Sequence, residues 1–597
     1  MILQELNALY SRLLQEDGNQ LPDLGFSTQL IGFRIVLKED GTLVEIRDIR
    51  EPFPTDKKPK PRAQKMIVPG GTKPSGSGLN PCFLWDNSGY LLGYKGADDK
   101  KPARTREAFA ALRDKYLAFE SRVGHPAFSA VCRFLESWNP ELTPEKISDA
   151  SLYTCNGVFR IQSSKKDVHT TPEIQDWWRR EGNDAWSGKD SGSDGTNRGI
   201  CLVSGKESNL ALLHEPAIKG VWKAQVSGAK LVSFNCSAFT SYGKEQSLNA
   251  PVGEYAAFSY CNALNYLLGN ENHSLQLGAA STVFWSDAPV SKMEEVNIVF
   301  RSMINTLPPA MDKSVSERVE SILTALKQGR LDKGVDPDDD VRFFILGLEA
   351  NASRLSVPFW LVSSFGELRR LVQNHYENLS IVPRWTKENS KFPDPELPLP
   401  FDLLRQTCRE SKDIPKPYVG ALMRSILQGL PYSDAIAGAM LRRIRIDCDV
   451  NYLRVSFLKA WLIRNKQHSI TKMLNTDNEE PGYVIGRLFA VYVKTQEDAG
   501  LTSTVKSYFS SASMTPLLVM SRLARLNQHH LKKLPSEGHR VNREKLLGEI
   551  EDKIKTSMPR RFTLEQQALF TLGYYHQMNS FYQKKDTPSN SEQQPTA

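Results

Sequence analysis

Apolar residues fall at helical spacing from the start of the chain. Ile2, Leu3, Leu6, Leu9, Tyr10, Leu13 and Leu14 share one face, which predicts a helix over residues 2–16. The pattern then changes to alternation in "LIGFRIVLKEDGTLVEIRDI", on both sides of Glu39-Asp40-Gly41, and this predicts a β-hairpin. "PCFLWDNSGYLLGY" reads as another strand pair, and residues 104–138 as helical. Residues 163–200 are polar, and "SGKDSGSDGTNRG" within them reads as a surface loop. "GICLVSGKESNLALLHEPAIKGV" reads as strand, tight turn, strand. Two amphipathic helices are expected over 250–268 and 290–306, and two strands around a turn in "DVRFFILGLEANASRLSVPFWLVSS".

The segment "KENSKFPDPELPLP" (387–400) packs four prolines into fourteen residues and reads as the main boundary. Beyond it nearly every window is helical to about residue 580. The fold class expected is therefore α+β: a mixed strand and helix domain over 1–386, then helices over 401–472 and a bundle over 473–585. The tail 586–597, "TPSNSEQQPTA" preceded by Asp586, has the composition of a disordered segment.

A chain of 597 residues is too long for one core. Its 76 basic and 68 acidic side chains give a net charge of +8, compatible with nucleic acid and with many enzymes alike. No two of the eight cysteines stand at CxxC spacing, which argues against a zinc ribbon and leaves reduced, mostly buried thiols as the expectation. The first residues lack a basic flank and a purely apolar stretch, so they do not read as a signal peptide. No apolar run approaches the ~20 residues of a membrane helix.

Tests for catalysis fail in informative ways. Gly71 and Gly76 have the spacing of a phosphate-binding loop, but Ser77 stands where its lysine should be. "HEPAI" opens like a zinc-protease helix, but Ile218 replaces the second histidine. Asp336–Asp340, "DPDDD", fits either a metal site or the opening of the next element. His529 and His530 read as one outer and one core residue of a helix. No nucleophile, base and stabiliser come together, so the expectation is a noncatalytic protein with no metal and no cofactor.

Basic loops are the stronger signal. Lys57, Lys58, Lys60, Arg62 and Lys65 crowd nine positions interrupted by prolines, which fits a solvated loop or one that tracks phosphates. "VPGGTKPSGSGLNP" (68–81) follows, with four glycines that permit close backbone approach. Lys73, Ser75, Ser77 and Asn80 within it are candidate donors to base edges or phosphates. "DDKKPARTR" adds Lys100, Lys101 and Arg104 ahead of a helix. A second cluster holds Arg442, Arg443, Arg445 and Arg454, with Arg443 and Lys459 expected on one outer stripe of paired helices.

Several phrases resemble one family. "MILQELNALYSRLL" before a strand pair and a basic Gly/Pro loop is similar to the start of the large subunit of the subtype I-C CRISPR Cascade surveillance complex. "CLVSGKESNLALLHEPAIKGVWKAQVSGAKLVSFN" (201–235), "SYGKEQSLNAPVGEYAAFSYCNALNYLL" (241–268), "TVFWSD" (282–287), "ILGLEANASRLSVPFWLVSSFGEL" (345–368) and "FTLGYYHQ" (570–577) resemble it in the same order. The resemblance implies a noncatalytic, RNA-guided DNA-binding subunit near the 5′ handle of the CRISPR RNA. It implies recognition of the PAM duplex, help in unwinding and R-loop stabilisation, and recruitment of a separate helicase-nuclease. Its partners would be CRISPR RNA, double-stranded target DNA with its displaced strand, and other Cascade subunits, in the prokaryotic cytoplasm with no membrane. On this reading Lys73, Ser75, Ser77 and Asn80 lie near the PAM duplex. Lys57, Lys58, Lys60, Arg62, Lys65, Lys100, Lys101 and Arg104 contact phosphates, and Arg442, Arg443, Arg445 and Arg454 face the displaced strand. The C-terminal part resembles a small-subunit-like bundle, with Met473 as a candidate internal start. His214, Lys219, Gly220 and Asn235 read as structural, His214 as a buried histidine bonded to backbone. The rivals are a metal-dependent nuclease using Asp336–Asp340 and a scaffold that never touches DNA.

Overall fold

The computed structural model describes residues 2–15, 21–53, 60–71, 78–147, 149–187, 197–277, 280–304, 313–328, 338–502, 504–554 and 558–582. The fold is α+β, and the chain divides into two compact units. One comprises Met1–Lys219 and Gln225–Tyr266, the other Gly220–Ala224 and Leu267–Ala597. The Pro-rich segment 387–400 lies inside the second unit.

In the first unit the N-terminal helix runs from Ile2 to Leu14 and buries Leu6, Leu9, Tyr10 and Leu13, the face that the spacing predicts. Tyr10 meets Tyr255 and Phe258 edge-on, each at 6.1 Å, and its hydroxyl donates to the Pro22 carbonyl at 2.6 Å. The strands are β1 (Phe26–Leu37), β2 (Leu43–Asp48), β3 (Glu51–Phe53), β4 (Lys60–Arg62), β5 (Gln64–Pro69), β6 (Trp85–Asn87) and β7 (Asn156–Ile161). A five-stranded sheet has the order β2-β1-β7-β6, with β5 also on β1. The predicted hairpin is β1–β2, turning through Gly41 at φ +91°, a conformation that glycine adopts without strain. β1 is long enough to pair with β5 through its first half and with β2 through its second, while β7 runs parallel to it.

The helices Pro102–Val123 and Pro126–Ser137 are separated by Gly124 in the left-handed conformation, so the predicted helical stretch is two helices. Their apolar faces join an aromatic core in which Phe83 stacks on Trp178 at 4.8 Å, with Tyr116, Phe128, Trp177 and Trp186 around it. The two tryptophans at 177 and 178 correct the reading of 163–200 as polar surface: a short helix from Pro172 carries both into the core. A second correction concerns "PCFLWDNSGYLLGY". It forms one short strand, β6, and then a helical turn, Ser88–Leu91, because the Asn87 side chain accepts the Gly89 N–H at 3.1 Å and caps that turn. Residues 197–253 have little regular structure beyond the three-residue strands β8 (Arg198–Ile200) and β9 (Glu207–Asn209), so the second strand expected there is much shorter than the sequence suggests.

In the second unit β10 (Ser274–Leu277), β11 (Ala280–Ser286), β12 (Arg342–Asn351) and β13 (Arg354–Ser364) form an antiparallel sheet in chain order, including the expected β12–β13 pair. The helix Val290–Ile304 and the Ser364-capped helix Phe365–Leu379 pack with this sheet. Helices then dominate: Pro400–Arg405, Lys416–Leu427, Asp434–Asp447, Tyr452–Lys466, Pro481–Asp498, Pro516–Leu531, Glu537–Glu551 and Leu564–Ser580. One apolar core extends from Leu275 on the sheet to Met578 in the last helix. Met473 is exposed in the connection before Pro481–Asp498.

The closest helix packing is between Pro481–Asp498 and Leu564–Ser580. A Cβ built on Gly486 would overlap the Phe570 carbonyl, and one on Gly573 the Tyr483 carbonyl. One on Gly482 would lie 2.6 Å from the Gln566 carbonyl oxygen. Glycine is required at these positions by the approach of two backbones, with no unusual φ involved.

All eight cysteines are free thiols. Only Cys132, Cys201 and Cys261 are buried, fewer than expected. Among the described residues no helix is long and apolar enough to cross a membrane.

Candidate nucleic-acid interface

Of the residues expected to read a PAM, Lys73, Ser75 and Ser77 lie outside the described residues, as do the phosphate candidates Lys57 and Lys58. The described part of the basic run is β-structure. Lys60–Arg62 pairs antiparallel with Glu51–Phe53, Arg62 stands opposite Glu51, and Lys65 follows in β5 opposite Leu30. Arg62 and Lys65 are exposed.

The described candidates converge elsewhere in the first unit. Asn80 shares a cleft of about 410 Å³ with Lys100, Lys101 and Arg104, two groups that are twenty residues apart in sequence. Lys95, Tyr90, Asp99 and Thr105 complete its polar lining. Each wall has a local cause. The Asn80 backbone N–H donates to the Tyr90 hydroxyl at 3.1 Å, which anchors the end of the glycine-rich loop. The exposed Asn80 carboxamide has no hydrogen-bond partner among the described residues. Asp99 accepts from the Lys101 N–H at 2.9 Å and from the Thr105 hydroxyl at 2.6 Å. The bond from Thr105 and then that from Lys101 hold the Asp99 carboxyl below its ordinary range. Asp99 therefore fixes the basic turn at the cleft rim, where Lys101, the N-cap residue of Pro102–Val123, makes no side-chain capping bond.

The cleft gathers Lys95, Lys100, Lys101 and Arg104 against one lining carboxylate, Asp99, already engaged within its own turn. A concave surface with that balance attracts phosphates, and the helix N-terminus adds to the field. Tyr90 and the exposed carboxamide add neutral donors and acceptors suited to sugar or base edges. Lys95 was missed from the sequence, although it stands in "GYKGADDKK", directly before the basic turn.

The second expected site is only partly a surface. Arg442 is exposed. Arg443 and Arg454 both engage Asp447, Arg454 at 2.6 Å, and Arg454 also donates to the Asp449 carbonyl at 2.9 Å. Burial acts to raise the Asp447 pKa, but hydrogen bonds from Arg454 and Arg443 outweigh it and hold the carboxyl below its ordinary range. Arg445 donates to Gln567 at 2.6 Å. Lys459 corrects the expected outer stripe: it is 2% exposed, donates to the Asn378 carbonyl at 3.0 Å, and is lowered by burial to about 8. Arg454, 6% exposed, is likewise inside.

The acidic run opens β12, and two of its described members, Asp338 and Asp339, carry arginine partners. Asp338 is buried with Arg318 at 2.9 Å, and Asp339 pairs with Arg369 at 2.8 Å. Asp336 lies outside the described residues. Among those described, no group of three or more His, Cys, Asp or Glu could hold a metal.

The four residues read as structural differ in burial. His214 is buried with its Nδ1 2.7 Å from the Tyr260 hydroxyl, a side-chain partner where a backbone one was expected. The Lys219 N–H donates to Asn265 at 2.8 Å, Gly220 sits at φ +89°, and Asn235 is exposed. His530 is buried and His529 exposed, as expected.

The first unit thus carries a basic, polar cleft whose chemistry suits an anion. The family model of the CRISPR-associated protein (Cas_Csd1) matches residues 6–582, and the chain belongs to that family. No curated protein matches the chain.

Proposed function

We propose that this chain is the noncatalytic large subunit of a type I-C CRISPR RNA-guided surveillance complex. The cleft of the first unit holds the PAM duplex: Lys100, Lys101, Arg104 and Lys95 meet phosphates, and Asn80 faces a groove. Lys73, Ser75 and Ser77 extend the reading from the adjoining loop, with Lys57, Lys58, Lys60, Arg62 and Lys65 along the flanking backbone. Arg442 and Arg443 meet the displaced strand, with Arg445 and Arg454 behind them. The subunit sits near the 5′ handle of the CRISPR RNA among other Cascade subunits in the cytoplasm. It helps to open the target and recruits a helicase-nuclease.

The observation that carries this reading is the convergence of Asn80 with Lys100, Lys101 and Arg104 on one cleft in a CRISPR-associated family member. The arginine partners of Asp338 and Asp339 weigh against the nuclease alternative, since each carboxylate is already neutralised.

The test is binding by the reconstituted complex to targets with varied PAM. Lys100→Glu with Lys101→Glu should weaken binding of every target and lower the slope of log K against log salt by about 2. Asn80→Ala should flatten the preference among PAM sequences with little change in that slope. Unchanged affinity across salt for the double variant would favour the scaffold alternative. Sustained cutting of labelled DNA by the pure protein with Mg²⁺ or Mn²⁺, lost in Asp338→Ala, would favour the nuclease.

A further inference from the structure

The second unit holds a cavity of about 370 Å³ that the cleft reading does not use. It lies between the end of helix Pro400–Arg405 and the turn after it, Arg443 of helix Asp434–Asp447, and the first turn of helix Tyr452–Lys466. Four guanidinium groups line it, from Arg405, Arg409, Arg443 and Arg454, against one lining carboxylate, Asp402. Arg405 and Arg409 are exposed and have no ion pair or hydrogen bond among the described residues. Arg443 and Arg454 share Asp447, but one carboxylate does not fill two guanidinium forks. The Nε of each has no hydrogen-bond partner among the described residues, and the Arg454 side chain is only 7% exposed.

Asp447 and Asp449 offset Arg443 and Arg454, so the excess positive charge comes from Arg405 and Arg409 against the single lining carboxylate Asp402, and an entering anion would relieve it. A guanidinium presents its donors as a planar fork that matches phosphoryl oxygens. The remaining lining narrows the ligand. Gln406, held by the Asn451 amide at 3.1 Å, and Ser411 are polar; Cys408 adds a thiol and Leu453 an aliphatic side chain; no aromatic ring is present. A nucleobase would find no aromatic platform there. We infer that this pocket binds a phosphoryl group, recognised by charge and fork geometry without regard to base identity. Free phosphate and a nucleic-acid phosphodiester supply the same chemistry. The pocket shares Arg443 and Arg454 with the displaced-strand face proposed above, but its ligand class stands without that reading.

Thermal unfolding of the full chain tests the inference, with inorganic phosphate titrated against chloride at constant ionic strength. Phosphate should raise the midpoint of the wild type, as binding to the native state alone requires. Arg405→Gln with Arg409→Gln should abolish the rise without lowering the midpoint in chloride, because both side chains are exposed and their removal relieves repulsion in the pocket. Lys100→Glu with Lys101→Glu should keep the rise, which separates this pocket from the PAM cleft. A labelled single-stranded oligonucleotide identifies the source. Its displacement by phosphate in the wild type, with weaker binding by the Arg405/Arg409 variant, marks a phosphodiester. Stabilisation by phosphate with oligonucleotide binding unaffected by that variant marks free phosphate and overturns only the displaced-strand reading. Equal stabilisation of wild type and the Arg405/Arg409 variant, or none beyond chloride, overturns the inference.

Discussion

Asp99 carries charge of the wrong sign for the DNA-binding role proposed for its cleft, and its hydrogen bonds explain its place there. It holds the turn bearing Lys100 and Lys101 by accepting from the Lys101 N–H and the Thr105 hydroxyl. Electrostatics alone says that Asp99→Ala tightens DNA binding. Positioning says the opposite, since loose lysines lose more entropy on binding. The expected result is weaker binding by the assembled complex, with stability lower by about 1 kcal/mol from the lost hydrogen bonds, read by equilibrium binding and denaturant unfolding. At this scale the sequence is least legible. "DDKKPARTR" shows the charges, but nothing local shows that Asn80 stands across from them, because the pairing is made by tertiary packing around Tyr90. Arg454 and Lys459 mislead for a related reason: in a helix apolar nearly all round, "YLRVSFLKAWLIRNK", cations are carried inside with their neighbours.

Elements were more legible where their signal is local. The β1–β2 hairpin, the β12–β13 pair and the helices after residue 400 follow from period and turn chemistry. β6 was misread because its apolar run continues into a capped helical turn, and Trp177-Trp178 because charged neighbours masked their burial. The helix pair Pro481–Asp498 and Leu564–Ser580 gives a sharp element-scale test. Gly486→Ala forces a methyl against the Phe570 carbonyl and should cost about 3 kcal/mol, the upper end for overpacking. Gly548, in the interior of Glu537–Glu551, has nothing within 4 Å of its missing Cβ. Gly548→Ala should therefore stabilise by about 0.5–1 kcal/mol, and thermal unfolding of the two variants should move in opposite directions.

At the scale of the whole molecule, five of the six buried histidines set the acid limit. His169 and His214 in the first unit, and His273 in the second, are lowered to about 4, and His375 and His576 to about 3, in each case mainly by burial. Released by unfolding, each titrates near its ordinary value of about 6.5. Below that pH the unfolded chain binds more protons than the native one, so stability falls as pH drops and is flat above about 7. At pH 5 each contributes a loss of about 2 kcal/mol, a large share of the ~5–15 kcal/mol that holds a typical domain together. The denaturant midpoint should drop steeply between pH 6.5 and 5. Carboxylates such as Asp149, lowered to about 2 chiefly by its hydrogen bond from Ser151, act only at lower pH. A midpoint that holds to pH 5 would contradict the neutral burial of these rings.

The glycine crossing also bears on motion. Backbones that touch through Gly486 and Gly573 leave no room for one helix to open while the other stays. Their amides should exchange with deuterium only when the whole bundle opens. After transfer to D₂O, segments around Tyr483–Val493 and Phe570–Met578 should keep their protons longest, while Glu537–Glu551, which buries only Leu547 and Ile550, exchanges first.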